Sequence, residues 1–170
     1  MDCGCTNCTC DDTKEKDIQV CPDCGTEGNH IPEKAVKANL KKEYLKSITE
    51  KEIYLCQDPN CRTSYYSKDY SLKYNLTDLK MPLWYKKGSD PVIACYCNNI
   101  TKAQVVSAVE KHNLTSWQDI VLHYQEKTLC ACRKLNPSGE CCTDFFYSII
   151  NSTLKTLGKD AVSIPGGCTC

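Results

Sequence analysis

The stretches ACYCNNIT (residues 94–101) and CACRKLNPSGECC (residues 130–142) decide how this chain folds. Each places paired cysteines directly before a residue that can begin a helix, Thr101 in the first case and Thr143 in the second. Paired thiolates at the ends of short helices can hold a [2Fe–2S] cluster, which needs four ligands, and the amides of a helix start favour an anionic cluster. A second zinc site is the alternative, although a C-x-C spacing suits a zinc knuckle less well.

Apolar residues at helical spacing surround these cysteines and predict a small helical unit. Thr101 and Thr143 are the predicted N-caps of the first and third helices, and Gly158 is the predicted end of the third. The middle helix is predicted to begin at Ser116 or Thr115. We expect the apolar stripes to form a core that presents the cysteines on its loops. Their members are Val105, Val106 and Val109; Ile120, Val121 and Tyr124; and Phe146, Ile149, Ile150, Leu154 and Leu157.

Two further cysteine pairs, in the first half of the chain, form a candidate zinc site. Cys21-Pro-Asp-Cys24-Gly has the C-x2-C spacing of a knuckle in which backbone amides turn toward both sulfurs. Cys56-Gln-Asp-Pro-Asn-Cys61 is a looser loop that can supply the matching pair. Four thiolates complete a tetrahedral zinc site, which has no open position for chemistry; a rubredoxin-like iron site is the alternative. His30 is interpreted as a solvated loop histidine rather than as a replacement for one sulfur.

The segments around these knuckles are predicted to mix helix and strand. A helix is predicted over residues 32 to about 45, because proline is favoured at a helix start. Short strands are predicted at residues 18–20, 52–55 and 63–66, and residues 81–86 are a further candidate. The fold class that follows is α+β: a small zinc-ribbon-like α/β subdomain followed by a small all-helical [2Fe–2S]-binding subdomain.

The grouping of the cysteines predicts how the chain is divided. Residues 1–17 are predicted to be a cysteine-rich tail with a charged linker, and residues 18–90 are predicted to form the zinc-binding subdomain. Residues 91–158 are predicted to form the helical [2Fe–2S] subdomain, and residues 159–170 are predicted to be a flexible tail that ends in cysteine.

The composition indicates the cellular compartment of the chain and limits the classes of partner that are expected. Sixteen of the 170 residues are cysteine, and ordinary apolar residues are few, so cross-links or metals are expected to stabilise the fold. The start of the sequence has neither the basic nor the apolar region of a signal peptide, and no apolar run is long enough to span a bilayer. A cytoplasmic chain is therefore expected, in which dense cysteines are metal ligands more often than disulfides. Because 21 basic residues balance 21 acidic ones, no nucleic-acid partner is indicated.

The cysteine-rich stretches resemble a known family. The order Ala-Cys-Tyr-Cys-Asn-Asn-Ile-Thr, Cys-x-Cys and Asn-Pro-Ser-Gly-Glu-Cys-Cys looks like the N-terminal domain of CopZ-type copper chaperones. The zinc half is similar in outline: Cys-Pro-x-Cys-Gly, a helix, Cys-x-x-Pro-x-Cys and an aromatic strand at Tyr65 and Tyr66. The resemblance covers about residues 18–158. It implies a zinc site beside a helical [2Fe–2S] module, which is itself similar to the bacterioferritin-associated ferredoxin fold.

The resemblance also implies cluster ligands. Carried over by position, they include Cys95 and Cys97, with one more from Cys130 or Cys132 and one from Cys141 or Cys142. Of these alternatives, Cys132 and Cys142 are favoured. The implied role is redox: the module supplies an electron so that Cu(II) is taken up as Cu(I), with a copper-exporting ATPase or another metal-trafficking protein as partner. The chain departs from the family because its sequence contains no Met-x-Cys-x-x-Cys copper loop.

Six cysteines near the two ends fit neither site. Soft thiolates in C-x-C spacing suit Cu(I), which accepts two or three ligands, and we expect these cysteines to take the place of the missing copper loop. An additional zinc or iron–sulfur centre is the alternative. The six are Cys3, Cys5, Cys8, Cys10, Cys168 and Cys170.

These features favour a redox-active metallochaperone-like protein with a structural zinc, a [2Fe–2S] cluster and a Cu(I) site. An electron-transfer or adaptor subunit that docks on a larger redox enzyme is the first alternative, and a cysteine-rich metal buffer is the second. No acid–base constellation indicates catalysis beyond one-electron metal reduction. The remaining histidines, His112 and His123, are predicted to be helix-surface residues rather than a pair.

Overall fold

A four-stranded antiparallel sheet organises the first half of the chain. The computed structural model describes residues 18–48 and 50–166. The strands are hydrogen-bonded in the order β1-β2-β3-β4. They are β1 (Gly28–Ile31), β2 (Ile53–Cys56), β3 (Thr63–Ser67) and β4 (Lys73–Asn75).

The two faces of this sheet bury different side chains because residues alternate across a strand. Leu55 and Tyr65 are register partners whose side chains join one apolar core, together with the helix that follows β1. Tyr54 and Tyr66 are the next register pair, and they pack on the opposite face beside the knuckle cysteines. One face of the sheet therefore builds the hydrophobic core, and the other positions the candidate zinc site.

The helix predicted from residue 32 is shorter than expected. Helix α1 covers Glu33–Asn39, with Pro32 before it. It ends because Leu40 adopts an extended backbone and forms an isolated β-bridge with Leu79. A 3-10 turn, Lys42–Ser47, follows and uses the remaining residues with high helix propensity.

The strand predictions are confirmed in part. The strands expected near residues 52–55 and 63–66 correspond to β2 and β3. Residues 18–20 do not form a strand, and only Val20 makes a bridge, to Glu27. Residues 81–86 form turns instead of a strand, with Lys86 N–H donating to the Leu83 carbonyl.

The second half of the chain is mainly helical and carries a small hairpin that the sequence did not predict. Two short strands, β5 (Ile93–Cys95) and β6 (Ile100–Thr101), pair with each other. Four helices follow, and their apolar residues form a separate core with β5 and β6. They are α2 (Lys102–His112), α3 (Trp117–Tyr124), α4 (Cys132–Leu135) and α5 (Thr143–Thr156). The fold class is α+β.

The helix ends follow the predictions except around α5. Thr101 and Ser116 are N-caps whose hydroxyls accept from backbone N–H groups three residues later. The predicted cap Thr143 is instead the first helical residue of α5, and Cys142 precedes it. Leu157, predicted to be in the core, is 41% exposed because the helix has ended before it.

Polar contacts join the two halves. The buried Tyr65 hydroxyl donates to the Pro137 carbonyl at 2.8 Å, and the Asn39 side-chain amide donates to the Leu135 carbonyl at 3.2 Å. A buried hydroxyl that loses its acceptor costs about 1–3 kcal/mol, so these bonds fix how the sheet meets the loop after α4. None of the helices in the described ranges is long and apolar enough to cross a bilayer.

Replacing Tyr65 by Phe should lower the free energy of unfolding by about 1–2 kcal/mol. The change keeps the ring in the core and leaves the Pro137 carbonyl without its donor. Urea unfolding measures the loss. Tyr70→Phe is the matched control, because its hydroxyl donates to the Val20 carbonyl from an exposed position. Equal unfolding midpoints for both variants would contradict a role of the buried bond.

Candidate metal centres

Four sulfurs from the two knuckles converge in one compact group. All lie within 4.8 Å of one another, and they belong to Cys21, Cys24, Cys56 and Cys61. The distance from Cys21 Sγ to Cys61 Sγ is 3.9 Å, and that from Cys24 Sγ to Cys56 Sγ is 3.6 Å. Four Zn–S bonds of about 2.3 Å in a tetrahedron place the sulfurs about 3.8 Å apart. The donor set and its spacing therefore fit one zinc ion.

Backbone turns shape each knuckle. In the first, Cys21 N–H donates to the Thr26 carbonyl at 2.9 Å, and Gly25 supplies the left-handed backbone (φ +72°) that closes the turn. In the second, Asn60 N–H donates to the Asp58 carboxylate at 2.7 Å. The strand β2 ends at Cys56, so the sheet itself carries one of the buried sulfurs.

The protonation of the knuckle thiols depends on burial and on nearby donors. Burial raises the pKa of Cys21 and of Cys56, while the positive charge of Lys86 acts to lower that of Cys56. Burial also opposes ionisation of Cys24, but hydrogen bonds from Thr26 and the neighbouring thiols outweigh it and lower its pKa to about 7. Ionisation of the buried Cys21 and Cys56 thiols is therefore favourable when a cation shares the site.

A buried lysine lies beneath the second knuckle. Lys86 is 3% exposed, and its ammonium donates to the carbonyls of Asp58 (2.7 Å), Cys61 (3.2 Å) and Thr63 (3.1 Å). All three donors of the ammonium are used, and no carboxylate in the described part of the chain pairs with it. A tetrathiolate zinc site carries a net charge of about −2, so Lys86 both orders the loop and offsets that charge.

Replacing Lys86 by Met should lower the unfolding free energy of the zinc-loaded protein by about 2–4 kcal/mol. Three loop carbonyls lose a charged donor, which costs more than the loss of a neutral hydrogen bond. Urea unfolding with zinc present measures the effect, and Lys87→Met at an exposed neighbouring position is the control. If the two variants unfold at the same urea concentration, the loop does not depend on this lysine.

The second set of four cysteines forms a wider ring. Hydrogen bonds link the sulfurs around it in the order Cys95, Cys97, Cys132, Cys142 and back to Cys95. The distance from Cys97 Sγ to Cys132 Sγ is 3.6 Å. Among the described residues, the knuckle cysteines are the one group of three or more ligand atoms that all lie within 4.8 Å of each other. Opposite corners of the second ring are therefore further apart than in the first set.

The fold buries this ring and directs N–H groups at its sulfurs. Cys95, Cys132 and Cys142 are buried, and Cys97 is half-buried. The Ala131 backbone N–H donates to Cys97 Sγ at 3.4 Å, and the buried Asn98 side-chain amide donates to Cys95 Sγ at 3.3 Å. Donors of this kind stabilise negative charge on sulfur, as a metal–thiolate site requires.

Asn98 also holds the loop that covers the ring. Its side-chain amide donates to the Leu129 carbonyl at 2.9 Å, and its side-chain oxygen accepts from the Leu129 N–H at 2.8 Å. Its backbone carbonyl accepts from the Gln125 side chain at 3.2 Å. One buried side chain therefore fixes both a cysteine and the segment that leads to α4.

Hydrogen bonds between the four thiols of the ring shift their pKa values in opposite directions. Hydrogen bonds from Cys142 and then Cys97 lower the pKa of both Cys95 and Cys132. The same contacts, first with Cys132 and then with Cys95, raise the pKa of Cys97 and of Cys142. The four thiols are therefore coupled in one hydrogen-bonded ring, and such a ring can exchange its protons for metal.

The other predicted cysteines lie elsewhere. Cys141 is exposed, and its sulfur contacts the Thr143 hydroxyl at 3.0 Å. Cys130 is exposed in the loop before α4. The structure thus groups Cys132 and Cys142 with the first C-x-C pair. The six cysteines near the ends, Cys3, Cys5, Cys8, Cys10, Cys168 and Cys170, lie outside the described residues.

Two contacts of the histidines differ from what the sequence suggested. His30 is exposed as expected, but it lies on β1, where its ring packs edge-on against Tyr54. His112 and His123 are on helix surfaces as predicted, yet their ring centroids are only 4.4 Å apart. Both histidines lie in the last turn of a helix, which is the one sequence signal that could have indicated the pair.

Trp84 and Tyr85, which lie between the two halves, contact both of the segments that carry the cysteines. The Tyr85 hydroxyl donates to the Cys56 carbonyl at 2.7 Å. The Trp84 N–H donates to the hydroxyl of Tyr96, which lies between Cys95 and Cys97, at 3.1 Å. The two sets are thus held in one packed structure rather than on independent loops.

The α+β fold and the compact tetrathiolate site define a small cysteine-rich, zinc-binding protein. Residues 18–80 match the family zf_CopZ, described as "Zinc binding domain". The chain is 30% identical over 122 residues to the copper chaperone CopZ of Archaeoglobus fulgidus. That alignment covers 72% of this chain and 57% of the relative, so the chain spans a little more than half of the relative's length.

A solved structure gives the same result for the fold. The X-ray structure of the Archaeoglobus fulgidus CopZ N-terminal domain matches with a TM-score of 0.58 and 26% sequence identity. The match covers 82% of this chain and 98% of that one. Residues 18–80 thus match the CopZ-type zinc-binding domain family, and the resemblance to the N-terminal domain of CopZ-type chaperones is confirmed.

Proposed function

We propose that this chain is a redox-active metallochaperone-like protein that takes part in copper binding, reduction and transfer. Its compact cysteine set holds a structural zinc, and its wider ring of Cys95, Cys97, Cys132 and Cys142 holds a [2Fe–2S] cluster. A copper-exporting ATPase or another metal-trafficking protein is the partner class. We also propose that residues 18–90 and 91–158 are the zinc and cluster subdomains, with residues 1–17 and 159–170 flanking them.

The single observation that carries the proposal is the contrast between the two cysteine sets. The first set closes around one point and leaves no position for an incoming ligand, as structural zinc sites do. The second has four thiols in a ring whose opposite corners are further apart, which suits a centre with two metal ions.

The chemistry of copper fits such a pair of sites. When bound, a [2Fe–2S] cluster supplies one electron, which matches the conversion of one Cu(II) to one Cu(I), while an external one-electron donor restores the cluster. The protein's part is to bury the ring, to aim N–H groups at its sulfurs and to keep it close to the surface at Cys97. The relative named as a copper chaperone supports copper as the metal handled.

Cu(I) binding by the terminal cysteines is the part of the proposal that one variant can test. We expect a variant with Ser at all six positions to bind less Cu(I) per chain while it keeps its zinc. Titration with a chromophoric Cu(I) chelator under anaerobic conditions measures the stoichiometry, and Cys141→Ser is the control. Unchanged Cu(I) uptake in the six-Ser variant would remove copper transfer from the proposal. The six positions are Cys3, Cys5, Cys8, Cys10, Cys168 and Cys170.

Metal content separates this proposal from its two alternatives. Additional iron and sulfide without copper uptake would favour an electron-transfer or adaptor subunit. A metal buffer would bind soft metals in variable amounts. The structure gives that alternative little support, because eight cysteines lie in two defined sets beside packed cores.

Replacing Asn98 by Leu should make the cluster harder to reduce. The amide that donates to Cys95 Sγ disperses the extra negative charge of the reduced state, so its loss lowers the reduction potential. Spectroelectrochemistry at matched cluster content measures the shift. Asn99→Leu cannot serve as control because Asn99 has positive φ, whereas Gln125→Leu removes a contact of the same loop without touching sulfur. Equal potentials in the Asn98 and Gln125 variants would contradict the assignment.

A further inference from the structure

His112 and His123 lie together although neither belongs to a cysteine set. Their ring centroids are 4.4 Å apart with an interplanar angle of 45°. Both side chains are exposed. In the described part of the chain, neither imidazole has a hydrogen-bond or ion-pair partner, so their nitrogens are available to a ligand. The His123 ring also packs nearly perpendicular to the Tyr124 ring, with 4.7 Å between centroids.

We propose that His112 and His123 form a two-imidazole site for Cu(II). The geometry of the histidine pair does not depend on the proposed function, whereas the choice of copper as the bound ion rests on that function. The site lies on the helical half of the chain and would hold the oxidised ion, whereas the thiolates receive Cu(I).

The separation of the rings fits two ligands on one ion. A metal–nitrogen bond of about 2.0 Å places the ion about 3.2 Å from a ring centroid, so two imidazoles whose metal–nitrogen bonds meet at a right angle have centroids about 4.5 Å apart. The observed 4.4 Å agrees with that value. Right-angled nitrogen ligands are the arrangement of tetragonal Cu(II), which also binds imidazole more tightly than the other divalent first-row ions.

The helices supply a second reason for a cation at this place. His112 lies in the last turn of α2, and His123 lies in the last turn of α3. The C-terminal end of a helix carries partial negative charge, which favours a bound cation. Two such ends meet where the two imidazoles meet.

The site would be open and its occupant exchangeable. Within residues 18–48 and 50–166, no further histidine, cysteine or carboxylate joins the pair to make a group of three. Water or a small ligand would therefore fill the remaining positions on the ion. An open two-ligand site suits reversible acquisition of Cu(II), in contrast to the closed tetrathiolate set.

The test uses the full, zinc-loaded chain and a metal chelate that thiols do not reduce. Ni(II)–iminodiacetate has free positions for two imidazoles, and calorimetry gives its affinity for the protein. We expect His112→Asn and His123→Asn each to weaken binding at least tenfold, because one imidazole loses the chelate advantage of two. His30→Asn, at the third and distant histidine, is the matched control and should bind as the unchanged protein does.

A second measurement addresses copper itself. Cu(II) added to the same four proteins and frozen at once should give an EPR signal with coupling to two nitrogens, reduced to one or none in the His112 and His123 variants. Wild-type affinity for the nickel chelate in both variants, or equal loss in the His30 variant, would overturn the site. Unchanged Cu(I) uptake in the six-Ser variant would contradict copper transfer and leave this result unaffected, so the two failures are distinguishable.

Discussion

Replacing Cys56 by Ser is expected to remove the zinc and unfold the four-stranded sheet at 25 °C. Cys56 is fully buried at the end of β2, and its sulfur lies 3.6 Å from Cys24 Sγ. Structural zinc contributes about 10–16 kcal/mol of apparent binding free energy in small zinc modules, whereas whole domains are stable by about 5–15 kcal/mol. A three-thiolate site with a hydroxyl in place of sulfur therefore cannot hold the sheet together.

The experiment has a clear readout and control. Zinc per chain is measured by mass spectrometry of the metal, and the packing of Tyr54 and Tyr66 beside the knuckles is followed by near-UV circular dichroism. Cys141→Ser changes an exposed cysteine outside both sets and should keep zinc and spectrum. A Cys56 variant with one zinc per chain and a native spectrum would show that this cysteine is not a ligand.

Replacing Cys142 by Ser should abolish iron and sulfide binding and leave the zinc in place. Cys142 is buried directly before α5, and its thiol contacts both Cys132 and Cys95. A [2Fe–2S] cluster needs four ligands, so loss of a buried corner opens it to water and breakdown. The visible absorption of the anaerobically purified protein should fall to background, with a matching loss of acid-labile sulfide.

The adjacent residue makes this test specific. Cys141 differs from Cys142 by one position, yet it is exposed and contacts Thr143 rather than the ring. Cys141→Ser should therefore retain the cluster. The reverse pattern, with the cluster lost only on changing Cys141, would assign that cysteine as the ligand and contradict the ring.

Much of the fold and of the cysteine sites is predictable, because the spacing of cysteines and of apolar residues along the sequence reflects the structure that they form. A C-x2-C turn brings two sulfurs to one point whatever surrounds it, so the knuckle pairs can be recognised without a structure. The apolar stripes of α2, α3 and α5 follow helical periodicity, and all three helices exist near their predicted starts.

The sequence alone does not decide which cysteine of each neighbouring pair lies in the buried ring. Cys130 and Cys132 are chemically equivalent in sequence, and only the position of Cys132 at the start of α4 makes it the buried one. Cys141 and Cys142 differ in the same way. The resemblance to CopZ-type domains favoured the buried member of each pair, and the ligand assignment itself stays a prediction.

Where the predicted helices and strands differ from the structure, tertiary contacts explain the difference. Residues 40–47 have high helix propensity, yet pairing of Leu40 with Leu79 ends α1 early. β1 contains glycine, asparagine and histidine, and it is a strand because its residues pair along β2, with Ile31 opposite Ile53. The contact between His112 and His123 depends on how α2 and α3 cross, which periodicity within either helix does not encode.

The most direct test of two different centres in one chain is the metal content of protein purified without oxygen. With a [2Fe–2S] cluster in the wider ring and a single ion in the compact set, we expect about two iron, two sulfide and one zinc per chain. Reduction should then produce the EPR signal of a one-electron-reduced cluster. Zinc alone, without sulfide or visible absorption, would contradict the account and leave two zinc-type cysteine sites in a structural scaffold.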